Sequence, residues 1–562
     1  EQGFYPWDVK DGHWLSGIKP LDEARLYNMD ELPDTMKKEQ SRNTYYLLPF
    51  LFGLIGLAWM YTKDRKSFLG LLILFIITGI GIIIYSNQPP NEPRERDYVL
   101  VGSFFVYSMW IGMSAVALYE ILRDKAKLKG ITPGVLATVV ILSAPVIMGA
   151  ENFDDHTRYH LKGARDYAVD FLESCAPNAI IFTYGDNDTY PLWYVQEVEG
   201  VRTDVRVVNL SLIAVDWYID GLRRKINDSA PIKLTIPEEA YRGNKRNQLF
   251  FYDPNKQSRE MSAVAALKFM GEDHPLSGGQ GRTFESFLPS KKLYIPVDVK
   301  AAQRLDMLLP EDTAVVDRIP IKISGNFITK DDLAVLDIIA SNIWERPIYF
   351  ATTTREEKLL GLQDYMQLEG LSLRVVPVKS ESDDSYYIYG SGRVATDLIY
   401  DRIMNKFRWG NFDKYDMHVD NSFGATTQSI RMMFIRTIIT MMEKGQNAKA
   451  VDLCDKYFEA FPHMNFPYNS SILPFINVYV QTRAFDQAKK HLRILAEETA
   501  DYMEFYYSLD QEDLENSFRR DYLYANNVLN DCINRAQQVN DPEFAEEIKN
   551  MLAPYQTANL KR

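Results

Sequence analysis

Four runs of apolar residues crowd into the stretch from Thr44 to Ala150, and no other feature constrains the architecture of this chain so strongly. They run from Thr44 to Tyr61, Ser67 to Ser86, Tyr98 to Leu122 and Ile131 to Ala150. Crossing the ~30 Å hydrocarbon layer of a bilayer takes about 20 apolar residues in a helix, and each run meets that need. A buried hairpin of a soluble domain would keep a polar stripe, whereas Phe68 to Tyr85 is apolar on every face. The expectation is a polytopic α-helical membrane region of four spans.

Direction follows from the connections, because short cytoplasmic loops retain Lys and Arg. Lys63, Arg65 and Lys66 outnumber Asp64 in the first loop, and Arg123, Lys125, Lys127 and Lys129 outnumber Asp124 in the third. Both loops are expected inside. The middle connection sets Glu92, Glu95 and Asp97 against Arg94 and Arg96 and is expected outside, together with residues 1–43 and everything after Glu151. Pro89, Pro90 and Pro93 stiffen that outer loop, so Arg94 and Arg96 are placed at the lipid surface, where a guanidinium grips phosphate bidentately. Lipid-phosphate binding is one reading. The other has both arginines paired with the acids of their own loop, holding it against the soluble part.

Composition hides this membrane region by averaging it into a chain of 562 residues that is 46% hydrophobic with a net charge of -13. That charge excludes a general nucleic-acid binder, which needs clustered Lys and Arg to release counterions from phosphates. Cys175, Cys454 and Cys532 lie far apart with no CxxC spacing, so they read as buried small hydrophobes rather than a disulfide or zinc framework. The opening Glu1-Gln2-Gly3 has no initiator Met and no signal peptide after it, from which the chain is expected to be the C-terminal part of a longer membrane protein.

At ~150 residues per domain the chain holds three or four units. Residues 1–43 form an extracytoplasmic lead segment and 44–150 the four spans. Residues 151–424 alternate helical and strand-like runs and predict an extracytoplasmic α/β domain. There the run Asn178 to Tyr184 leads into Gly185-Asp186-Asn187-Asp188-Thr189, then an aromatic helix around Trp193-Tyr194, the run Val205 to Leu210, and a helix containing Asp216-Trp217-Tyr218. Ligands of open α/β sheets bind beyond the carboxyl ends of strands, where Asp186 and Asp188 are expected.

Asp186, Asn187 and Asp188 could ligate a hard cation or hydrogen-bond sugar hydroxyls, although the calcium-loop Gly and Glu are missing; capping of the next helix is the competing reading. Asp154, Asp155 and His156 cluster just past the last span. His156 and His160 have the i, i+4 spacing of a metal pair if helical, and an interfacial polar cluster is the plainer reading. Leu276-Ser277-Gly278-Gly279-Gln280 copies the signature string of ABC-type ATPases, yet no GxxxxGK[ST] accompanies it, so it reads as a loop.

Residues 425–562 predict a C-terminal α-helical repeat domain. Ile430 to Phe461 pairs two amphipathic helices about Gly445, and Ser471 to Glu498 repeats this about Thr482-Arg483, with Ala450 and Ala488 in matching places. The period of about 38 is near that of tetratricopeptide repeats, which present a concave surface to a partner, though the Trp and Gly of the first helix are missing.

Several strings together resemble a bacterial membrane family of unknown-function domain proteins related to protein O-mannosyltransferases, within the GT-C glycosyltransferase superfamily. They are Pro93-Arg94-Glu95-Arg96-Asp97-Tyr98 with Val101-Gly102-Ser103-Phe104, Glu151 to His156, Phe182 to Tyr194, Gly200 to Val205 and Asn342 to Phe350. The resemblance implies a multi-pass protein of the bacterial inner membrane with its large C-terminal region in the periplasm. It implies transfer of a sugar, mannose, from a polyprenyl-phosphate carrier to Ser or Thr of exported proteins. Such chemistry needs a base, and a cation or divalent metal for the leaving phosphate. The GT-C acidic base belongs to a preceding N-terminal membrane half, so no residue here inherits it, while Arg94 and Arg96 fit the phosphate. The alternative is a non-catalytic membrane scaffold whose helical repeats recruit exported or envelope proteins.

Overall fold

A computed structural model describes residues 15–27, 29–87, 96–253, 259–277 and 283–556. The chain divides into two compact units, one of residues 1–159, 416–422 and 464–562, the other of residues 160–415 and 423–463. It is mostly helical, with a mixed sheet region in the middle of the sequence and helices at the C-terminus.

In the first unit three helices are long and apolar enough to cross a membrane: Arg65–Ser86 with 22 residues, Asp97–Asp124 with 28 and Thr132–Glu151 with 20. The fourth expected span is shorter. Tyr46 and Leu47 take the left-handed conformation and Pro49 fixes the first turn, so the helix is Leu48–Lys63, 16 residues. At 1.5 Å per residue it is about 24 Å long. Small residues let these helices close up: a Cβ on Gly56 would lie 1.7 Å from the Trp110 carbonyl oxygen, and one on Gly53 2.3 Å from the Tyr107 ring. Close backbone approach is how helices associate where lipid offers no hydrophobic drive.

Two helical hairpins follow in the same unit. Leu473–Thr482 turns at Arg483, in the left-handed conformation, into Phe485–Ser508, and Arg519–Gln538 turns at Asn540 into Pro542–Gln556. Ala488 is fully buried where the first hairpin closes.

The second unit is built on a six-stranded sheet. Its strands are β1 (Ile180–Thr183), β2 (Arg206–Asn209), β3 (Ile348–Ala351), β4 (Met366–Leu368), β5 (Ser372–Val375) and β6 (Arg393–Val394). Their spatial order is β6-β4-β5-β3-β1-β2. β1 runs parallel to both neighbours, Ile180 lying opposite Ile348 and Arg206. β5 is antiparallel to β3 and β4, and β6 is parallel to β4. Helix α1 (Gly163–Glu173) precedes β1, α2 (Asp186–Glu197) makes the crossover from β1 to β2, and α3 (Asp216–Leu222) follows β2. All residues of β1, β2 and β3 are buried, which fits the apolar runs of β1 and β3 and the Val207-Val208 centre of β2 between Arg206 and Asn209. The hairpin Gly424–Glu443 and Asn447–Ala460, turning at Gly445, packs in this unit through Phe434 and Phe461 against Trp409. Leu276 and Ser277 of the rejected ATPase string pair with residues 283–284 as a two-residue strand; Gly278, Gly279 and Gln280 lie outside the described residues.

Strands of two to four residues offer few ladder bonds, and arginines supply the rest. Arg346 donates to the carbonyls of Asn178 (2.7 Å), Ala230 (3.0 Å) and Ala179 (3.2 Å) and to the Ser229 hydroxyl (2.9 Å). Arg202 reaches the carbonyls of Leu172, Cys175 and Ala176. On the antiparallel side, Glu369 is 1% exposed and meets Arg374 at 3.4 Å and Arg402 at 3.3 Å. It also accepts from the Tyr349 hydroxyl at 2.8 Å and the Gln367 amide at 2.7 Å. Burial pushes its carboxyl up, and the two guanidiniums outweigh that, holding it below the ordinary value. Cys175, Cys454 and Cys532 are free and buried, as their spacing suggested.

Removing Glu369 strands two buried guanidiniums. Glu369→Ala is expected to cost about 3–5 kcal/mol, the range for breaking a buried ion pair. Thermal melts of variant and parent would show it, and a loss below about 1 kcal/mol would mean that the cluster contributes little net stability.

Candidate functional site

From β1 the chain crosses through α2 to β2 on one side, while β3 lies on the other side of β1. Two connections that part in this way leave a crevice outside the carboxyl ends of β1 and β3, the usual ligand position in open α/β sheets. The chain leaves β1 through Tyr184 and Gly185, whose φ of 81 makes the sharp turn into α2. Thr189 secures the turn by donating to the Gly185 carbonyl at 2.7 Å, and its hydroxyl lies 2.7 Å from that of Thr183.

Asp186 and Asn187 point outward, and Asp188 is buried at 7% exposure. The N-cap of α2 is Gly185, Asp186 and Asp188 lie in its first turn, and Asp188 reaches back to the Tyr184 backbone amide, as a helix-start carboxylate does. Asp188 also accepts a short hydrogen bond from Thr353, which stands just beyond β3. One contact therefore bridges the two strands that border the crevice. Burial pushes the Asp188 carboxyl up to about 6, against the lowering effect of the Thr353 hydroxyl and the Tyr184 backbone amide. The Arg355 guanidinium lies 5.1 Å from the centre of the Tyr184 ring at the same edge.

Two buried polar atoms on this edge make no hydrogen bond among the described residues, the Thr354 hydroxyl beyond β3 and the Asn209 side-chain nitrogen at the end of β2. Burial pushes the Tyr167 hydroxyl on α1 well up and the nearby charge of Asp188 adds to it, with a hydroxyl contact to Ser429 opposing. Tyr389 is raised by burial as well, with hydroxyl contacts to Ser429 and Thr352 opposing. Buried polar groups are nearly always paired, so two unpartnered ones on the edge that holds the buried Asp188 carboxyl make this edge the candidate site.

The other sequence candidates lie elsewhere. Asp154, Asp155 and His156 form a short helix, Phe153–His156, in the first unit. Asp155 is buried and accepts from Asn43 at 3.1 Å, and His156 Nδ1 lies 2.7 Å from its other oxygen. Asn152, next to them, accepts from Tyr45 at 2.9 Å, and Glu151 accepts from the Thr44 amide. These contacts tie the segment before Leu48–Lys63 to the end of Thr132–Glu151. The helix stops at His156, so the spacing to His160 is not a helical one, and His160 stacks on Tyr415 at 3.8 Å. Among the described residues no group of three or more His, Cys, Asp or Glu could hold a metal. Arg96 stands just before the Asp97–Leu100 turn that opens the longest apolar helix; Arg94 lies outside the described residues.

Sequence reasoning missed Tyr167, Tyr389 and Thr353. The run Thr352-Thr353-Thr354 directly after an apolar strand was a readable sign for the last. It also missed His418, whose ring nitrogen is 3.0 Å from Glu39 and whose pKa that hydrogen bond raises.

Since the folded state holds the Asp188 proton more tightly than the unfolded chain, its contribution favours folding below the unfolded value near 3.8 and is lost as pH rises through about 6. Asp188→Asn removes that loss. The variant is expected to melt higher than the parent at pH 7.5, by up to about 3 kcal/mol in stability, with the gap closing towards pH 4. A gap independent of pH would show that Asp188 titrates normally.

No curated protein and no solved structure matches the chain. Residues 164–398, a span that begins in α1 and takes in all six strands of the sheet with Asp188 and Thr353, match the family model of TMEM260-associated domain 2.

Proposed function

We propose that this chain is the C-terminal part of a membrane glycosyltransferase that moves a sugar, mannose by its resemblance, from a polyprenyl-phosphate carrier to Ser or Thr of exported proteins. One observation carries the reading: membrane-length helices are joined in one chain to a sheet whose crevice edge holds a buried carboxyl, pushed up to about 6 by burial, beside an unpartnered hydroxyl and an unpartnered amide nitrogen. In this reading Asp188 and Thr353 hold hydroxyls of sugar or acceptor, Arg94 and Arg96 take the carrier phosphate, and the base belongs to a preceding membrane half.

The placement proposed with it is the inner membrane of a bacterium, with four spans and the region after Glu151 outside. The Leu48–Lys63 helix crosses by local thinning of the bilayer, a modest cost per ångström of mismatch. Lys63 pairs with Glu120 at 2.9 Å, which puts the first loop and the end of Asp97–Asp124 at one level. Single cysteines replacing Asp97 and Lys125 test the direction with a membrane-impermeant maleimide applied to intact cells. Asp97→Cys is expected to label and Lys125→Cys to label only after lysis; the reverse pattern would invert the proposed placement.

Arg94→Ala, Arg96→Ala and Asp188→Asn in the full-length protein test the activity, read as O-glycosylation of exported proteins. Losing one charged hydrogen bond of about 1.5–3 kcal/mol predicts a fall of about ten- to a hundredfold for an arginine that holds phosphate. A scaffold whose helical hairpins recruit exported proteins predicts unchanged glycosylation in all three, and that result would overturn the transferase reading.

A further inference from the structure

The outward face of α2 is aromatic where a surface helix is ordinarily charged. Tyr190 is 49% exposed and stacks on Trp193, one turn on, with ring centres 5.5 Å apart. Facing it, on α3, Trp217 is 63% exposed and sets its ring edge-on to Tyr218 at 5.8 Å. A cavity of about 360 Å³ opens between the two helices beside the edge strand β2, with Trp193 and Trp217 among its walls. That volume sits at the lower end of the ~300–1,000 Å³ of small-ligand sites.

The polar groups of this cavity are few and specific. Glu197 accepts from the Asn227 side-chain amide through one carboxylate oxygen at 2.7 Å, and both residues line the cavity. Arg206 also lines the cavity, yet its guanidinium is spent on the carbonyls of Leu222, Arg224, Ser229 and Ala230 and the Ser229 hydroxyl. An anion would thus meet Glu197 and no available cation.

We propose that this cavity is a carbohydrate subsite that takes one or two neutral pyranose rings. A pyranose has apolar C–H faces and a girdle of hydroxyls. Its faces match the indoles of Trp193 and Trp217, and a vicinal pair of its hydroxyls matches the acceptors of Glu197 and Asn227. Aromatic rings with an apolar face and a wet edge serve such mixed ligands with little loss of side-chain entropy. The cavity lies on the far side of α2 and β2 from the Asp188–Thr353 contact, and the inference does not depend on any transfer reaction.

The test uses the full chain in lipid nanodiscs, because maltoside and glucoside detergents carry the very rings in question. Saturation-transfer NMR with mannobiose, cellobiose and maltose is expected to show transfer to ring C–H protons from at least one of them. Trp217→Ala, which removes a largely exposed side chain and should leave the melting temperature unchanged, is expected to abolish that signal. Glu197→Ala is expected to weaken binding on the order of tenfold. No transfer to any of the three sugars, or equal transfer in the Trp217→Ala protein, overturns the proposal. So does a signal from the peptide Gly-Tyr-Gly where the sugars give none, which would make the cavity a peptide site. Failure here would leave the glycosylation assay of the arginine and Asp188 variants untouched, and the reverse also holds.

Discussion

Glu369 sits where four elements of the α/β unit meet, taking hydrogen bonds from β3 through Tyr349 and from β4 through Gln367 while two arginines, from β5 and from the Thr396–Asn405 helix, neutralise it. Strands this short gain little from their ladders, and a buried carboxylate is costly unless it is paired and hydrogen-bonded. Here its partners come from different elements, so satisfying the charge fixes the register of Tyr349 opposite Arg374. The arginines on the other side work by a related logic. Arg346 and Arg202 spend their donors on carbonyls at the starts and ends of strands and helices, where backbone groups would otherwise lack partners.

This explains why much of the family-like sequence is structural. Asn342 to Phe350 is a clamp followed by a strand: Asn342 receives the Lys233 amide, Arg346 gathers carbonyls, and Ile348 to Phe350 are buried. Gly200 to Val205 does the same with Arg202 and Asp204. Phe182 to Tyr194 differs, because it carries the end of β1, the turn and the aromatic face of α2, and so serves both the crevice and the cavity beside β2.

The apolar runs were legible because length and composition alone decide whether a helix can cross a bilayer. The first one came out short because two left-handed residues and a proline, not hydropathy, set where its helix begins. The helical hairpins were legible from period, turn residues and the small residues Ala450 and Ala488. Asp186 and Asp188 were placed after a strand correctly, yet adjacent letters gave no hint that one would be exposed and the other buried. Residues two apart in a helix face opposite sides, and the partner that Asp188 meets on the buried side, Thr353, is 165 positions away and reaches it only once β3 lies beside β1. His156 and His160 failed as a helical pair for the opposite reason: a local spacing was read as a helix that ends at the first of them.

The sheet thus has two characters in one layer. Its antiparallel half carries a charge cluster whose carboxylate is matched by two guanidiniums, a hydroxyl and an amide, although the Nε atoms of Arg374 and Arg402 have no hydrogen-bond partner among the described residues. Its parallel half ends in Asp188 and in hydroxyl and amide groups that the described residues leave unmatched. A fold can keep such unpaired groups only if the rest of the sheet is held firmly enough to bear their cost, and buried orphans of this kind cost about 1–3 kcal/mol each. The Glu369 cluster and the arginine clamps tie the strands to one another and to the flanking helices, which is where the sheet can meet such a cost.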